Sequence, residues 1–203
     1  SFHVPLRPSN VPLTDTDKLN MVWLHADSAR GVVLYFHGNT GNIVQAYQHA
    51  APLLKNRYDV LLVDYPGFGK STGADAEMDL YQDAVVSYQM ARTRFHADSI
   101  VIYGKSLGTA MASYVAAHEP CRDLILECPF YDYPQLVRRY LPIYPVSRML
   151  RYRFPVYEFV RHTKAPILIF HGKKDEIIPY RFSYKLKALL KPSDRYITFP
   201  GGH

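Results

Sequence analysis

The sequence predicts an α/β fold built on a mostly parallel β-sheet, and three observations carry that prediction. Six short apolar runs are mostly continuous rather than alternating, as expected of strands covered on both faces. Stretches of helical period lie between nearly all of them, which is the rhythm of parallel crossovers. The chain has 203 residues, 48% hydrophobic and 21% charged, so one compact domain over residues 1–203 with a sizeable core is expected. That composition also excludes the disordered class.

Taken in order, two extended segments near the start, Phe2–Leu6 and Leu19–His25, suit antiparallel edge strands. The buried strands are Val32–Phe36, Val60–Val63, Ile100–Tyr103, Leu124–Leu126, Ile167–Phe170 and Tyr196–Phe199. The clearest helix spans Asp75–Phe95, where Leu80, Ala84, Tyr88 and Ala91 recur at helical spacing. Glu77 and Asp79 lie in its first turns and Arg92 and Arg94 in its last, the sense that suits the helix dipole. Ile43–Leu54, Leu107–His118 and Tyr180–Leu190 fill the other crossovers.

One connection breaks the rhythm. After Leu126 some 30 residues carry prolines at 134, 142, 145 and 155, and proline ends helices, so only short ones fit there. The same excursion holds the charge. The formal net charge is +6, and residues 134–164 contain seven basic residues (Arg138, Arg139, Arg148, Arg151, Arg153, Arg161, Lys164) against one acid, Glu158. The rest of the chain is therefore balanced, with seventeen of each sign.

Cys121 and Cys128 flank an extended run, which at ~3.3 Å per residue separates them by more than about 20 Å and forbids a disulfide. Both are expected to be buried thiols. No metal-ligand spacing is present, and no metal or cofactor is expected. No apolar run approaches the ~20 residues that cross a bilayer. Ser1 is not a natural initiator, so an upstream segment, with any targeting or anchor sequence, is expected to lie outside the chain. A cytoplasmic or membrane-associated location fits these features.

Chemistry concentrates at strand ends. Gly104-Lys105-Ser106-Leu107-Gly108 sits between the strand Ile100–Tyr103 and a helix rich in small residues, the context of a nucleophile elbow. A strained turn displays the hydroxyl, and glycines two residues either side remove side chains that would collide. A serine needs a base to take its proton and an acid to orient that base. Asp175 follows the next-to-last strand and His203 follows the last, in the chain order Ser–Asp–His. Asp132 is a rival acid. His49, His96, His118, His162 and His171 are worse placed than His203 by position or chain order. Lys105 adds positive charge beside Ser106.

The loop His37-Gly38-Asn39-Thr40-Gly41-Asn42 follows the strand Val32–Phe36 and has two glycines that keep its backbone open. An oxyanion hole takes one N–H from the residue after the nucleophile, here Leu107, and one from this loop. Asn39 is the candidate, with Thr40 behind it. A phosphate-binding loop is the competing reading, but no Lys-Ser/Thr pair follows.

These motifs, with Asp64-Tyr65-Pro66-Gly67-Phe68-Gly69-Lys70-Ser71 and the terminal Gly-Gly-His, resemble the α/β-hydrolase superfamily from about Leu19 to His203. Within it they resemble the small esterase and thioesterase-like branch, which includes membrane-anchored serine hydrolases and protein depalmitoylases. The resemblance implies an eight-stranded sheet, a Ser106–Asp175–His203 triad and a lid between strands six and seven, over residues 134–164. It implies a structural role for Asp64 and its loop. Family members continue past the histidine with a helix, so that helix is expected to be missing from this chain.

The expected reaction is acyl transfer from small esters or thioesters to water. Peptidase or amidase activity, or a silent hydrolase-fold binding module, are the alternatives. The basic residues of the lid are interleaved with Tyr140, Tyr144, Tyr152, Phe154, Tyr157 and Phe159. Either these rings pack onto the core, or the lid is an amphipathic, cationic surface for anionic membrane or an acidic substrate. No nucleic-acid-binding motif is present, and no nucleic-acid partner is expected.

Overall fold

A computed structural model describes residues 2–5, 18–39, 43–67, 70–72, 76–145 and 149–203. Its strands are β1 (Phe2–Pro5), β2 (Lys18–Leu24), β3 (Val32–Phe36), β4 (Asp59–Asp64), β5 (Ile100–Lys105), β6 (Asp123–Glu127), β7 (Ile167–Gly172) and β8 (Arg195–Phe199). They form one sheet in the order β1-β2-β4-β3-β5-β6-β7-β8. β1 pairs with β2, and β2 with β4, antiparallel. All pairs from β4 through β8 are parallel.

Strand alternation divides the core between the two faces. Val33, Tyr35, Val60 and Leu62 point to one side, where Ile43, Ala46 and Ala50 of helix α1 (Ile43–Leu54) cover them. Leu34, Phe36, Leu61 and Ile102 point to the other, beneath α2 (Glu77–Arg92) and α3 (Gly108–His118). Both faces are thus dry, which is why β3 and residues 60–63 of β4 are apolar throughout. Residue 75 of the expected 75–95 helix lies outside the described residues. The expected helix over 180–190 is corrected. Only α6 (Arg181–Tyr184) is α-helical, and Lys185–Leu189 tightens into a 3-10 turn ahead of Pro192, which disfavours helical backbone before it.

Strand order reverses at β3. The chain leaves it for β4 on one side, then returns to β5 on the other, opening a crevice at the carboxyl ends of β3 and β5. The β6–β7 excursion passes over that end with two short helices, α4 (Tyr133–Tyr140) and α5 (Val156–His162). Asp132 caps α4, accepting from the Gln135 N–H at 2.7 Å, and Pro134 occupies its first turn.

The returning half of the excursion is fastened to the core. Phe154, Val156 and Val160 are buried, and Phe159 meets the stacked Tyr81–Tyr114 pair edge-on. The Glu77 carboxylate accepts from the Arg153 N–H at 2.6 Å, the Phe154 N–H at 3.0 Å and the Tyr81 hydroxyl at 2.9 Å. Glu77→Ala is expected to cost about 2 kcal/mol in urea unfolding, because hydrogen bonds to a charged group are the stronger kind. It should also speed tryptic cleavage at Arg151 and Arg153; unchanged cleavage would show that the aromatic packing alone holds this strand of chain.

Candidate active site

Ser106 stands between β5 and α3 at φ +51°, in the left-handed region that non-glycine residues avoid. Its N–H donates to the Glu127 carbonyl at 2.9 Å, and its carbonyl accepts from the Thr109 N–H and hydroxyl at 3.0 and 2.6 Å. The flanking glycines have definite steric reasons. A Cβ on Gly104 would lie 2.5 Å from the Gly108 carbonyl oxygen, and one on Gly108 would lie 2.1 Å from that of Phe36. The amino end of α3 therefore rests against the end of β3, with the first-turn amides of the helix lacking partners within it.

The loop after β3 runs alongside. A Cβ on Gly38 would be 3.3 Å from Ser106 Cβ. His37 is buried, with Nδ1 2.8 Å from the Gly38 carbonyl and Nε2 3.4 Å from Asp64 Oδ1. The Tyr65 hydroxyl donates to the His37 carbonyl, and the two rings pack 4.5 Å apart. Asn39 is exposed and shares a cavity with Ser106 and Leu107, whereas Thr40 lies outside the described residues.

Asp64 organises this corner. It accepts from Asn20 Nδ2 on β2 at 2.9 Å, from the Ile43 N–H opening α1 at 2.9 Å and from the Lys70 N–H at 3.3 Å. Burial pushes its carboxyl up, but His37, Asn20 and the two amides together hold it below the usual carboxylate range.

Asp175 and His203 are brought together. His203 Nδ1 lies 2.8 Å from Asp175 Oδ2, while Asp175 Oδ1 accepts the Ile177 and Ile178 N–H groups at 3.0 and 2.7 Å. The approach depends on Gly172, where a Cβ would stand 2.2 Å from the Gly202 carbonyl oxygen. Asp132, the rival acid, spends both oxygens on Gln135 at the start of α4. Ser106 and His203 line one cleft of about 180 Å³, and no direct hydrogen bond joins them in this conformation.

Two expectations change. The Lys105 charge does not stand free beside Ser106; it pairs with Glu127 at 3.0 Å, and the Tyr103 hydroxyl donates to the other Glu127 oxygen at 2.5 Å. His171, set aside by chain order, is fully buried with Nε2 2.6 Å from the Ile178 carbonyl and 3.1 Å from Asp175 Oδ2. Its Nδ1 meets Ser183 Oγ at 2.7 Å, which in turn meets the Tyr196 hydroxyl at 2.7 Å. The carbonyl accepts only, so Nε2 carries a proton. The available signal was its place at the end of β7, four residues before the acid.

Cys128 completes the surround of Asp175, its donor atom and those of His171 and Asp175 lying within 4.8 Å of one another. Burial pushes the Cys128 thiol up to about 12 and Asp175 reinforces the shift, so at neutral pH it is a protonated donor to the carboxylate. Cys121, expected buried, is only partly so, and both cysteines are free. Burial would raise the Asp175 carboxyl, yet His171, His203 and the Ile178 amide hold it well below the carboxylate range.

On the other side of Ser106 lies a cavity of about 530 Å³. Leu80, Phe130 and Ile178 form its floor, and Leu136, Tyr140 and Phe154 of the excursion form its roof.

A strained serine between β5 and α3, facing a histidine–aspartate pair at the carboxyl edge of a parallel sheet, is the architecture of the α/β-hydrolase fold. The chain belongs to that family, whose model, described as alpha/beta hydrolase fold, matches residues 31–155. An uncharacterised Mycobacterium tuberculosis protein is 31% identical over 183 residues, covering 88% of this chain and 65% of the relative. A lysophosphatidylserine lipase of Danio rerio is 31% identical over 193 residues, covering 82% and 49% respectively. The chain thus spans between about half and two thirds of these relatives. Among solved structures, the monoacylglycerol lipase of Paleococcus ferrophilus superposes with a TM-score of 0.70 at 18% identity, over 91% of this chain and 90% of that one. Est1E of Butyrivibrio proteoclasticus with bound ferulic acid gives 0.70 at 21%, over 93% and 88%.

The two depressed carboxylates make stability fall in acid. A carboxyl whose folded pKa lies below its unfolded value of about 4 contributes fully above that value and is lost as pH falls toward the folded one. Urea midpoints should therefore drop between about pH 5 and about pH 3, and Asp64→Asn should lower the neutral midpoint while flattening that acid limb. An equally steep limb in the variant would remove Asp64 from the linkage.

Proposed function

We propose that the chain is a serine hydrolase that cleaves carboxylic esters or thioesters through an acyl-enzyme. The observation that carries this reading is the 2.8 Å bond between His203 Nδ1 and Asp175 Oδ2, made in the cleft that Ser106 also lines. With Nδ1–H given to Asp175, His203 Nε2 is the atom left to take the Ser106 proton. Ser106 Oγ attacks the acyl carbonyl carbon, and the carbonyl oxygen becomes an oxyanion held by the Asn39 and Leu107 amides. The imidazolium then protonates the departing alcohol or thiol, leaving the acyl group on Ser106. Water, deprotonated by His203, releases the acid and regenerates the hydroxyl. Asp175 stays ionised throughout and stabilises the imidazolium.

The cavity supports a lipid-like acyl group. Its volume falls in the range of roughly 300–1,000 Å³ typical of small-molecule sites, and its lining is mostly aliphatic and aromatic. The smaller cleft, with Lys105, Gln45 and His49 at its wall, is the polar side of Ser106 and suits the leaving group and water. The lysophosphatidylserine lipase relative and the lipase and esterase folds point the same way, and the sequence resemblance to thioesterase-like hydrolases keeps thioesters in the proposal. Residues 134–164 act as the lid.

A fluorophosphonate probe is expected to label the wild type and not Ser106→Ala. p-Nitrophenyl esters and acyl thioesters of increasing chain length should be hydrolysed with kcat/KM lower by at least about a thousandfold in Ser106→Ala. Equal labelling of both proteins would end the assignment. Gly172→Ala touches no substrate, yet by displacing Gly201–Gly202 it should lower kcat by about a hundredfold, the cost of a misplacement near 1 Å. An unaltered kcat would mean that His203 reaches its position without that close crossing.

A further inference from the structure

The seven basic residues of the excursion do not share one place. Arg161 lies on α5, and Lys164 precedes the amino end of β7, the sheet edge opposite Ser106. Arg148 is outside the described residues. The charge that the sequence concentrates in residues 134–164 is therefore not a single surface patch. Arg138 and Arg139 stand at the Ser106 edge, on the outer side of α4, whose inner side gives Leu136, Val137 and Tyr140 to the cavity. They line an open groove of about 330 Å³ with Arg181 from α6. Among the described residues no carboxylate pairs with these three arginines.

Next to this groove the surface is apolar. Thirteen large hydrophobic side chains are exposed among the described residues, and five of them fall between positions 140 and 149. Ile143 is 87% exposed and Met149 65%, with Leu141 and Tyr144 around half. Tyr140 ties this tip to the cavity mouth, its hydroxyl donating to the Ile177 carbonyl at 2.5 Å.

We infer that this tip, residues 138–145 with Met149 and Arg181, docks on the surface of an anionic lipid bilayer. The combination selects the partner. A bilayer takes apolar side chains into its acyl boundary while arginines stay at the phosphate level, and nothing has to be left exposed. A nucleic acid would satisfy the arginines but leave Ile143 and Met149 in water. Among the described residues no helix is long and apolar enough to cross a membrane. Docked this way, the opening of the cavity faces the lipid. Docking does not require the hydrolytic reading, and its failure would leave that reading untouched.

The test uses the Ser106→Ala protein, so that no lipid is consumed. Co-sedimentation with vesicles of phosphatidylcholine containing about a third phosphatidylglycerol should exceed that with pure phosphatidylcholine by roughly a hundredfold, about fivefold per arginine. Added salt should weaken it. R138A/R139A/R181A should bring anionic binding down to the neutral level, and Ile143→Asp should lower binding to both, with far-UV circular dichroism and urea midpoints unchanged. In a background with Ser106 intact these variants should hydrolyse p-nitrophenyl acetate at the wild-type rate. Equal binding to both vesicles, or anionic binding that survives the triple substitution, overturns the proposal. So does an equal loss in R161A/K164A. Inorganic phosphate or a DNA duplex binding the groove without any vesicle binding would assign it to those ligands instead.

Discussion

At Gly108 a Cβ would stand 2.1 Å from the Phe36 carbonyl oxygen, and at Gly172 it would stand 2.2 Å from that of Gly202. These two close approaches hold the site in place. The first seats the amino end of α3 against β3, so that Ser106, its neighbouring amide and the 37–39 loop share one small region. The second lets the chain leaving β8 cross the end of β7, which carries His203 to Asp175. Neither contact supplies much energy by itself. They act by exclusion, because any side chain there would hold apart backbones that the chemistry needs adjacent.

Two buried carboxylates then fix what the close approaches allow. Asp64 and Asp175 each receive several hydrogen bonds, enough to overcome the desolvation that would otherwise protonate them. Asp64 joins β2, the loop after β3, the start of α1 and its own loop, so it braces the corner beside Ser106. Asp175 divides its oxygens, one on the backbone of its own turn and one toward two histidines. His171 donates from a buried position, its other ring nitrogen held by Ser183 and, beyond it, Tyr196. The acid is thereby oriented from behind as well as by its turn, and its free face is the one turned to His203.

What the sequence disclosed, and what it withheld, follows from how local each requirement is. Strands buried on both faces must be apolar, so β3 and the centre of β4 could be read directly, and β5 to β7 showed themselves by their short apolar runs. An elbow needs glycines at fixed offsets from the serine, so residues 104–108 announced themselves. Chain order favoured Asp175 over Asp132; in the structure Asp175 meets His203, while Asp132 caps α4. The role of His171 was hidden because it depends on Ile178, Ser183 and Tyr196, which meet only in three dimensions. Charge was the least legible quantity. Lys105 carries a positive charge in sequence, but Glu127 on the neighbouring strand neutralises it. A cationic run of 31 residues likewise says nothing about direction: Arg138 and Arg139 share the outer side of α4, whereas Arg161 lies on α5 and Lys164 precedes β7.

The excursion therefore has two mechanical halves. Its returning half is fixed by Glu77, by buried Phe154 and Val156 and by rings stacked on α2 and α3. Its outgoing half, α4, is held by its Asp132 cap, by Leu136, by the Tyr140 bond to the 176–177 turn and by Lys185 on Gln135 at 2.7 Å. Few buried contacts and solvent-exposed hydrogen bonds make for low local stability. Both halves line the same cavity, and the Tyr133 N–H at the start of α4 joins them by donating to the Arg153 carbonyl at 3.0 Å. The α4 side is also the side that presents Ile143, Arg138 and Arg139, with Arg181 of α6 beside them. Because α4 carries Arg138 and Arg139 on one side and Leu136, Val137 and Tyr140 on the other, the charged groove and the cavity wall beside Ser106 are two sides of one short helix.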